Sequence, residues 1–214
     1  MLFDVKIDER NENRLDKYRK DRVCTLQPAE LTDDADPIKA VAKISFVDKN
    51  DTETKDRLMR SVKIHRQVQD HDSVLKVYGC KFVGDKFILL LEPAEGSLED
   101  ALRPKTPEAL VFSRRVWGKL TPKQIIRKCF GAVVYIHTIN RKNKITHRDL
   151  KPANILLNGR QRDDELLVLL TDFDSAKELD LEQTSVNTRV DLTTPVYTAP
   201  EINEMKKGKK ISPN

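Results

Sequence analysis

The chain has 214 residues, 38% of them hydrophobic, which is enough to bury a core of one domain or two small lobes and excludes an intrinsically disordered chain. Its 39 basic and 34 acidic side chains give a formal charge of +5, with the signs interspersed over most of the length, so nucleic-acid binding is a minor reading. The 3 cysteines, Cys24, Cys80 and Cys129, are odd in number, far apart and without metal-ligand spacing, which makes a reducing compartment the default.

Residues 9–22 are nearly all polar or charged and read as a surface helix or a linker. Ile38–Val47 is rich in β-branched and apolar residues, the composition of a buried strand. Thr54–Gln69 carries Leu58, Val62 and Val68, with His65 on the same face, the pattern of a helix packed by one side. Val74–Val83 and Lys86–Glu92 are strands joined by a Gly84-Asp85 turn. The most apolar run, Phe87–Leu91, is far too short to cross a bilayer, and the first residues do not form a leader, so the expected location is the cytoplasm or nucleus, with no membrane contact.

After Glu92 the periodicity changes. A loop containing Gly96 leads into a short helix at Leu98–Leu102, and Pro104–Leu120 is an ambiguous connection. Thr121, Pro122 and Gln124 are a helix start: a hydroxyl cap, proline at the first helical position, and glutamine able to reach back to the cap. That helix runs to about Asn140 with Ile125, Ile126, Cys129, Val133 and Ile136 on one stripe. Two short strands, Ile155–Leu157 and Leu166–Leu170, flank a polar loop. Strands first and helices after predict an α+β fold with two lobes and a boundary near residues 92–96.

The stretch Ile145–Leu157 reads ITHRDLKPANILL. A carboxylate that orients an attacking hydroxyl, an ammonium that offsets phosphate charge and an amide oxygen that holds a metal ion form a coherent set. His147, Arg148, Asp149, Lys151 and Asn154 resemble, in type and spacing, the catalytic loop of the eukaryotic-type serine/threonine protein kinases. The resemblance implies Asp149 as base, Lys151 as phosphate contact and Asn154 as magnesium ligand. Lysine after Asp149-Leu150 favours the serine/threonine class. Asp172-Phe173-Asp174 stands 18 residues beyond Asn154, at the place of the family's Asp-Phe-Gly. By the same resemblance Asp172 holds magnesium, a cation that prefers hard oxygen donors.

Thr193 to Glu201 resembles the end of an activation segment, with Thr194 near the catalytic aspartate, Arg148 as the cation awaiting a phosphate, and Ser185 or Thr188 as the phosphosite. In the first half, Ala40-Val41-Ala42-Lys43 resembles the strand whose lysine meets the nucleotide phosphates. LLLEPAEGSLEDAL resembles the hinge, with Leu91 guarding the adenine pocket and backbone groups from Glu92 to Ala94 meeting the base. The surroundings of hinge and catalytic loop are similar to those of the stress-sensing kinases that carry a ribonuclease domain.

The resemblance covers roughly residues 38–201, and it implies a two-lobed kinase-like fold. Residues 1–37 are a divergent segment, 38–92 a strand-rich N-lobe and 93–214 a helical, incomplete C-lobe. The implied cofactors are ATP and Mg2+, the implied activity is γ-phosphate transfer to serine or threonine hydroxyls, and the implied partners are ATP and a protein substrate or regulator.

Several positions depart from the family. No glycine precedes Gly79, so the glycine-rich loop over the phosphates is absent or replaced. Ser61 falls where the family has a helical glutamate paired with the strand lysine, with Glu53 and Asp56 lying earlier. Asp174 replaces a glycine whose backbone angles an aspartate reaches at a cost. The chain stops 13 residues after Glu201, which implies missing lower helices and a partly uncovered apolar face on the helix begun at Thr121. The lysines between 206 and 210 read as a solvated tail, with a basic targeting signal as the alternative. These departures keep two rivals open: a pseudokinase acting as a nucleotide-binding or scaffolding module, and a small-molecule phosphotransferase of related fold, against which the Lys151 placement and the Ala-Pro-Glu ending speak.

Overall fold

The structure, a computed structural model, describes residues 4–7, 24–32, 38–140, 143–159, 166–180, 195–198 and 200. By its internal contacts the chain divides into two compact units, Met1–Val62 with Leu75–Pro93, and Lys63–Val74 with Ala94–Asn214.

The first unit is built on an antiparallel sheet of β1 (Asp4–Ile7), β2 (Cys24–Thr32), β3 (Ile38–Phe46), β4 (Val77–Val83) and β5 (Lys86–Leu91), in the order β1-β2-β3-β5-β4. Alternation fixes the faces of β3: Ala40, Ala42 and Ile44 enter a core with Ala29 and Leu31 of β2 and Ile88 and Leu90 of β5, which leaves Val41, Lys43 and Ser45 on the opposite side. Strand β5 is buried from Phe87 to Leu91, as its unbroken apolar run requires. Gly84 opens the two-residue hairpin loop between β4 and β5 with φ +61°, a conformation that glycine adopts without the usual steric penalty.

The sequence offered no signal for β1 or β2. Strand β2 contains Pro28, which lacks a ladder donor. Pro28 lies one residue beyond the β1 pairing, which ends at Ile7 opposite Ala29, so among the described residues β2 is paired on that stretch with β3 alone. Strand β4 starts three residues later than its apolar pattern predicts, because Val74 bridges to Leu170 within the second unit, where the Leu170 N–H donates to Ser73 O at 2.8 Å.

Helix α1 (Thr52–Val68) is capped by Asp51, whose carboxylate accepts the Thr54 N–H at 2.8 Å. It buries Leu58, Ser61, Val62, Ile64, His65 and Val68, and the residues from Lys63 onward belong to the second unit.

In the second unit β6 (Gly96–Ser97) leads into α2 (Leu98–Leu102), α3 (Pro107–Lys119) and α4 (Pro122–Thr138). Strands β8 (Ile155–Gly159) and β9 (Leu166–Leu170) extend β6 into a three-stranded sheet, while β7 (Asn143–Thr146) pairs with β10 (Lys177–Asp180). The ambiguous connection resolves into α3, started by Thr106, whose hydroxyl accepts the Ala109 N–H at 3.2 Å, and by Pro107 at the first helical position. Helix α4 carries the predicted capping box in full: Thr121 Oγ1 accepts the Gln124 N–H and Gln124 Oε1 accepts the Thr121 N–H.

The predicted apolar stripe of α4 needs correction. Its core side is Ile125, Ala132 and Ile136, with Cys129 half-buried against the same core as Ile125, whereas Ile126 is exposed. Ile125 packs with Val116, Leu157 and Val168, and Ala132 and Ile136 pack with Val68, Ile145 and Phe173, so one helix links two core clusters. Desolvation pushes the Cys129 thiol up to about 11, which keeps it protonated and unreactive at neutral pH.

Glu95 and Gly96 fasten the entry to this unit. Glu95 Oε1 accepts the Gly159 N–H at 2.7 Å and its other oxygen pairs with Arg115. The Phe112 ring lies so close to Gly96 that an added Cβ would sit 2.8 Å from it. Gly96→Ala is therefore expected to lower stability by about 1–3 kcal/mol through overpacking; an unchanged midpoint in urea unfolding would contradict the close approach.

Candidate active site

Between β7 and β8 the chain runs through His147 to Asn154, ending in a 3-10 turn, Pro152–Asn154, closed by the Asn154 N–H on Lys151 O at 2.9 Å. Arg148 sits at φ +69°, a left-handed conformation that costs a non-glycine residue about 1–2 kcal/mol. The turn of the backbone there brings the neighbouring buried residues, His147 and Asp149, into the same cluster of hydrogen bonds.

Asp149 is the centre of that cluster. Its Oδ2 accepts from Lys151 Nζ at 2.7 Å and from Asn154 Nδ2 at 3.0 Å, and its main-chain oxygen accepts from the same amide at 2.8 Å. Its side chain is only 2% exposed. A carboxylate so deeply buried is tolerated because a cation and an amide both donate to it. The two donations from Nδ2 also set the orientation of the Asn154 amide, whose Oδ1 turns away from Asp149 as a hard oxygen donor.

His147 joins this loop to the next motif. Its Nδ1 accepts the Asp149 N–H at 3.3 Å, so the ring proton resides on Nε2 and donates to Thr171 O at 2.8 Å. Burial pushes the imidazole below its usual range, opposed by the Thr171 carbonyl and by the charges of Asp172 and Asp149. Thr171 is held from its other side as well, since its N–H donates to Asn154 O at 3.0 Å.

Asp172 follows at φ +65°. Phe173 is buried, with its ring 4.4 Å from the His65 ring and 4.8 Å from the His147 ring. Both neighbours of Asp172 are thus anchored, one by hydrogen bonds and one by ring packing. The strain expected at Asp174 is not there: Asp174 lies in the 3-10 turn Phe173–Ser175, and the positive φ belongs to Asp172.

The structure therefore places Asp149, Lys151 and Asn154 in direct contact and ties Asp172 to them through Thr171, all in the second unit. Ala94 belongs to that unit too, while Lys43 and Glu92 belong to the first. Lys43 sits on β3 opposite Leu26 and Leu89. The Glu92 N–H donates to Lys76 O at 2.9 Å. Ser61, at the position of the family's helical glutamate, donates its hydroxyl to Leu58 O within α1 at 2.9 Å. Residues 9–22, Ser185, Thr188, Thr193, Thr194, Glu201 and the lysines between 206 and 210 lie outside the described residues.

Sequence reasoning assigned no role to Thr171 or to His65. Thr171 contributes only backbone atoms, which leave no trace in residue type. His65 had one signal, its place on the apolar face of α1.

The protein kinase domain family matches residues 30–213. The chain belongs to the protein kinase family. The match begins inside β2, earlier than the residues from which the resemblance was read. A serine/threonine-protein kinase/endoribonuclease of Aspergillus fumigatus is 33% identical over 144 residues, covering 64% of this chain and 12% of that protein. A probable myosin light chain kinase of Dictyostelium discoideum is 31% identical over 152 residues, covering 70% of this chain and 42% of the relative. Calcium-dependent protein kinase 5 of Plasmodium falciparum is 29% identical over 180 residues, covering 81% of this chain and 28% of the relative. The chain spans less than half the length of each of these relatives. Its two-part organisation, a strand-rich sheet followed by a helical region, is that of a kinase-like α+β fold, and protein kinases in general use ATP and magnesium.

The lowered imidazole has a measurable consequence. The unfolded chain binds a proton at His147 near pH 6.5 and the folded chain only at lower pH, so this group's contribution is complete above about pH 6.5 and is lost as pH falls below it. Urea midpoints measured from pH 7 to pH 5 are expected to fall, and to fall less steeply in His147→Phe. Equal slopes in the two proteins would contradict the neutral, doubly bonded imidazole.

Proposed function

We propose that the chain is the phosphoryl-transfer core of a serine/threonine protein kinase, and one observation carries the reading: the buried Asp149 carboxylate held by Lys151 and Asn154. Asp149 receives the proton of a serine or threonine hydroxyl as that oxygen bonds to the γ-phosphorus of ATP, the bridging P–O bond breaks and ADP departs. Lys151, anchored on Asp149, offsets charge on the transferring group. The donor set suits magnesium, for Asn154 offers an amide oxygen and Asp172 a carboxylate, both hard ligands. Bound magnesium would supply charge neutralisation at the phosphates. Lys43, Glu92 and Ala94 keep the nucleotide-contact roles that the resemblance gives them. A lysine two residues after the base and the serine/threonine kinases among the relatives support a hydroxyl of serine or threonine as acceptor.

Transfer of radiolabelled phosphate from ATP to a general protein substrate is expected to fall about 10²- to 10⁴-fold in Asp149→Asn, the usual worth of a positioned base. Unaltered protein that binds ATP and transfers nothing would overturn the reading. Asp172→Ala is expected to abolish the part of the ATP-induced thermal shift that depends on magnesium; a shift that keeps its full magnesium dependence would remove Asp172 from the metal site.

A further inference from the structure

Helix α3 has no role in the chemistry proposed above, but it is firmly docked. Ala101 O of α2 accepts from the Ser113 hydroxyl at 2.7 Å and from the Trp117 indole N–H at 3.0 Å, and Val116 is buried in one core cluster with Leu157 and Val168. A helix anchored in this way presents its remaining side chains in fixed positions.

The side chain that matters is Arg115. Phe112 and Arg115 stand three apart on one face of α3. The Phe112 ring fills the space over Gly96, while the Arg115 guanidinium carbon lies 5.9 Å from that ring's centroid and the group pairs with the Glu95 carboxylate. Glu95, the residue after Ala94, is also tied to β8: its Oε1 accepts the Gly159 N–H at 2.7 Å and its own N–H donates to Leu157 O at 3.1 Å. Gly159 permits that approach, because a Cβ there would stand 2.7 Å from Glu95 Oε1. Strand β8 starts at Ile155, directly after Asn154. One strand thus has the proposed metal ligand at its start and the Glu95 clasp at its end.

With 41 and 34% of the two side chains exposed, the Arg115–Glu95 pair adds little stability in water. Its effect is geometric, since it keeps the carboxylate turned toward the Gly159 N–H. Both carboxylate oxygens are engaged by protein groups, so Glu95 acts through its neighbours.

We propose that Glu95 is a positioning residue for nucleotide binding, held by Arg115 of α3, and that the clasp fixes the Ala94 backbone for the adenine base in register with the strand that leaves the catalytic loop. The inference rests on the phosphoryl-transfer reading, in which Ala94 meets the base, and names what holds Ala94 there. A segment ordered in advance spares binding the cost of ordering it, and that gain falls on the base and not on the phosphates.

The test is calorimetry on the full chain with magnesium present, using adenosine and inorganic tripolyphosphate to separate base contacts from phosphate contacts. In Glu95→Ala, affinity for adenosine is expected to drop about tenfold or more while affinity for tripolyphosphate stays within about twofold. Glu95→Gln keeps an acceptor for the Gly159 N–H and is expected to restore most of the adenosine affinity. Arg115→Ala is expected to weaken adenosine binding by itself and to add nothing in the Glu95→Ala background, because it acts through Glu95. A lowered melting temperature in Glu95→Ala with unchanged adenosine affinity makes the clasp purely structural and overturns the proposal. Equal losses for both ligands, or additive losses in the double variant, overturn it as well. Unaltered protein that binds neither ligand removes the phosphoryl-transfer reading and this inference together, whereas unaltered protein that binds both, with Glu95 variants that keep adenosine, removes the inference alone.

Discussion

The peptide group of Thr171 is what the geometry of the candidate site depends on. Its carbonyl receives the His147 proton and its N–H donates to Asn154 O, so the end of β9 is locked to the loop between β7 and β8 from two directions. Asp149 and Asn154 lie on one side of that lock and Asp172 is the next residue on the other. Backbone hydrogen bonds in a dry environment have short reach and little angular tolerance, so they hold two distant segments in register more firmly than long side chains could.

The same region concentrates the strain of the fold. Among the described residues, the non-glycine positions with positive φ are Arg148 and Asp172, each adjacent to a residue of the lock. Such conformations persist where the surroundings over-determine them, and here the surroundings are a buried imidazole, a buried carboxylate with two donors, and a phenyl ring packed between two histidines. The arrangement also explains the residue types around Asp149. Without Lys151 the Asp149 carboxylate would be buried with one fewer compensating charge, at a cost of several kcal/mol.

The legible part of the fold was what repeats locally. The run from Phe87 to Leu91, the Gly84 hairpin, the capping box at Thr121 and Gln124, and the amphipathic pattern of α1 each depend on neighbours within a few residues, and each formed as predicted. Strand β2 was hidden because its reason for existing is a partner strand, paired from Leu31 with Ile38 out to Cys24 with Ser45, and its proline argued the other way. The side of α4 was misjudged for a related reason: an apolar helix with two candidate stripes cannot show which one meets the core, and Ile126 lost that place to Ala132.

The residue types and spacing of His147 to Asn154, and of Asp172, were legible by themselves, because a carboxylate, an ammonium, an amide and a second carboxylate at those intervals are set by covalent connectivity, and the resemblance to the kinase family supplied the roles proposed for them. Tertiary structure decided how they meet. The tautomer of His147, the facing of the Asn154 amide, the burial of Asp149 and the left-handed turn at Asp172 arise from hydrogen bonds to main-chain atoms, and every residue carries the same main-chain atoms, so no reading of side-chain letters could have located them.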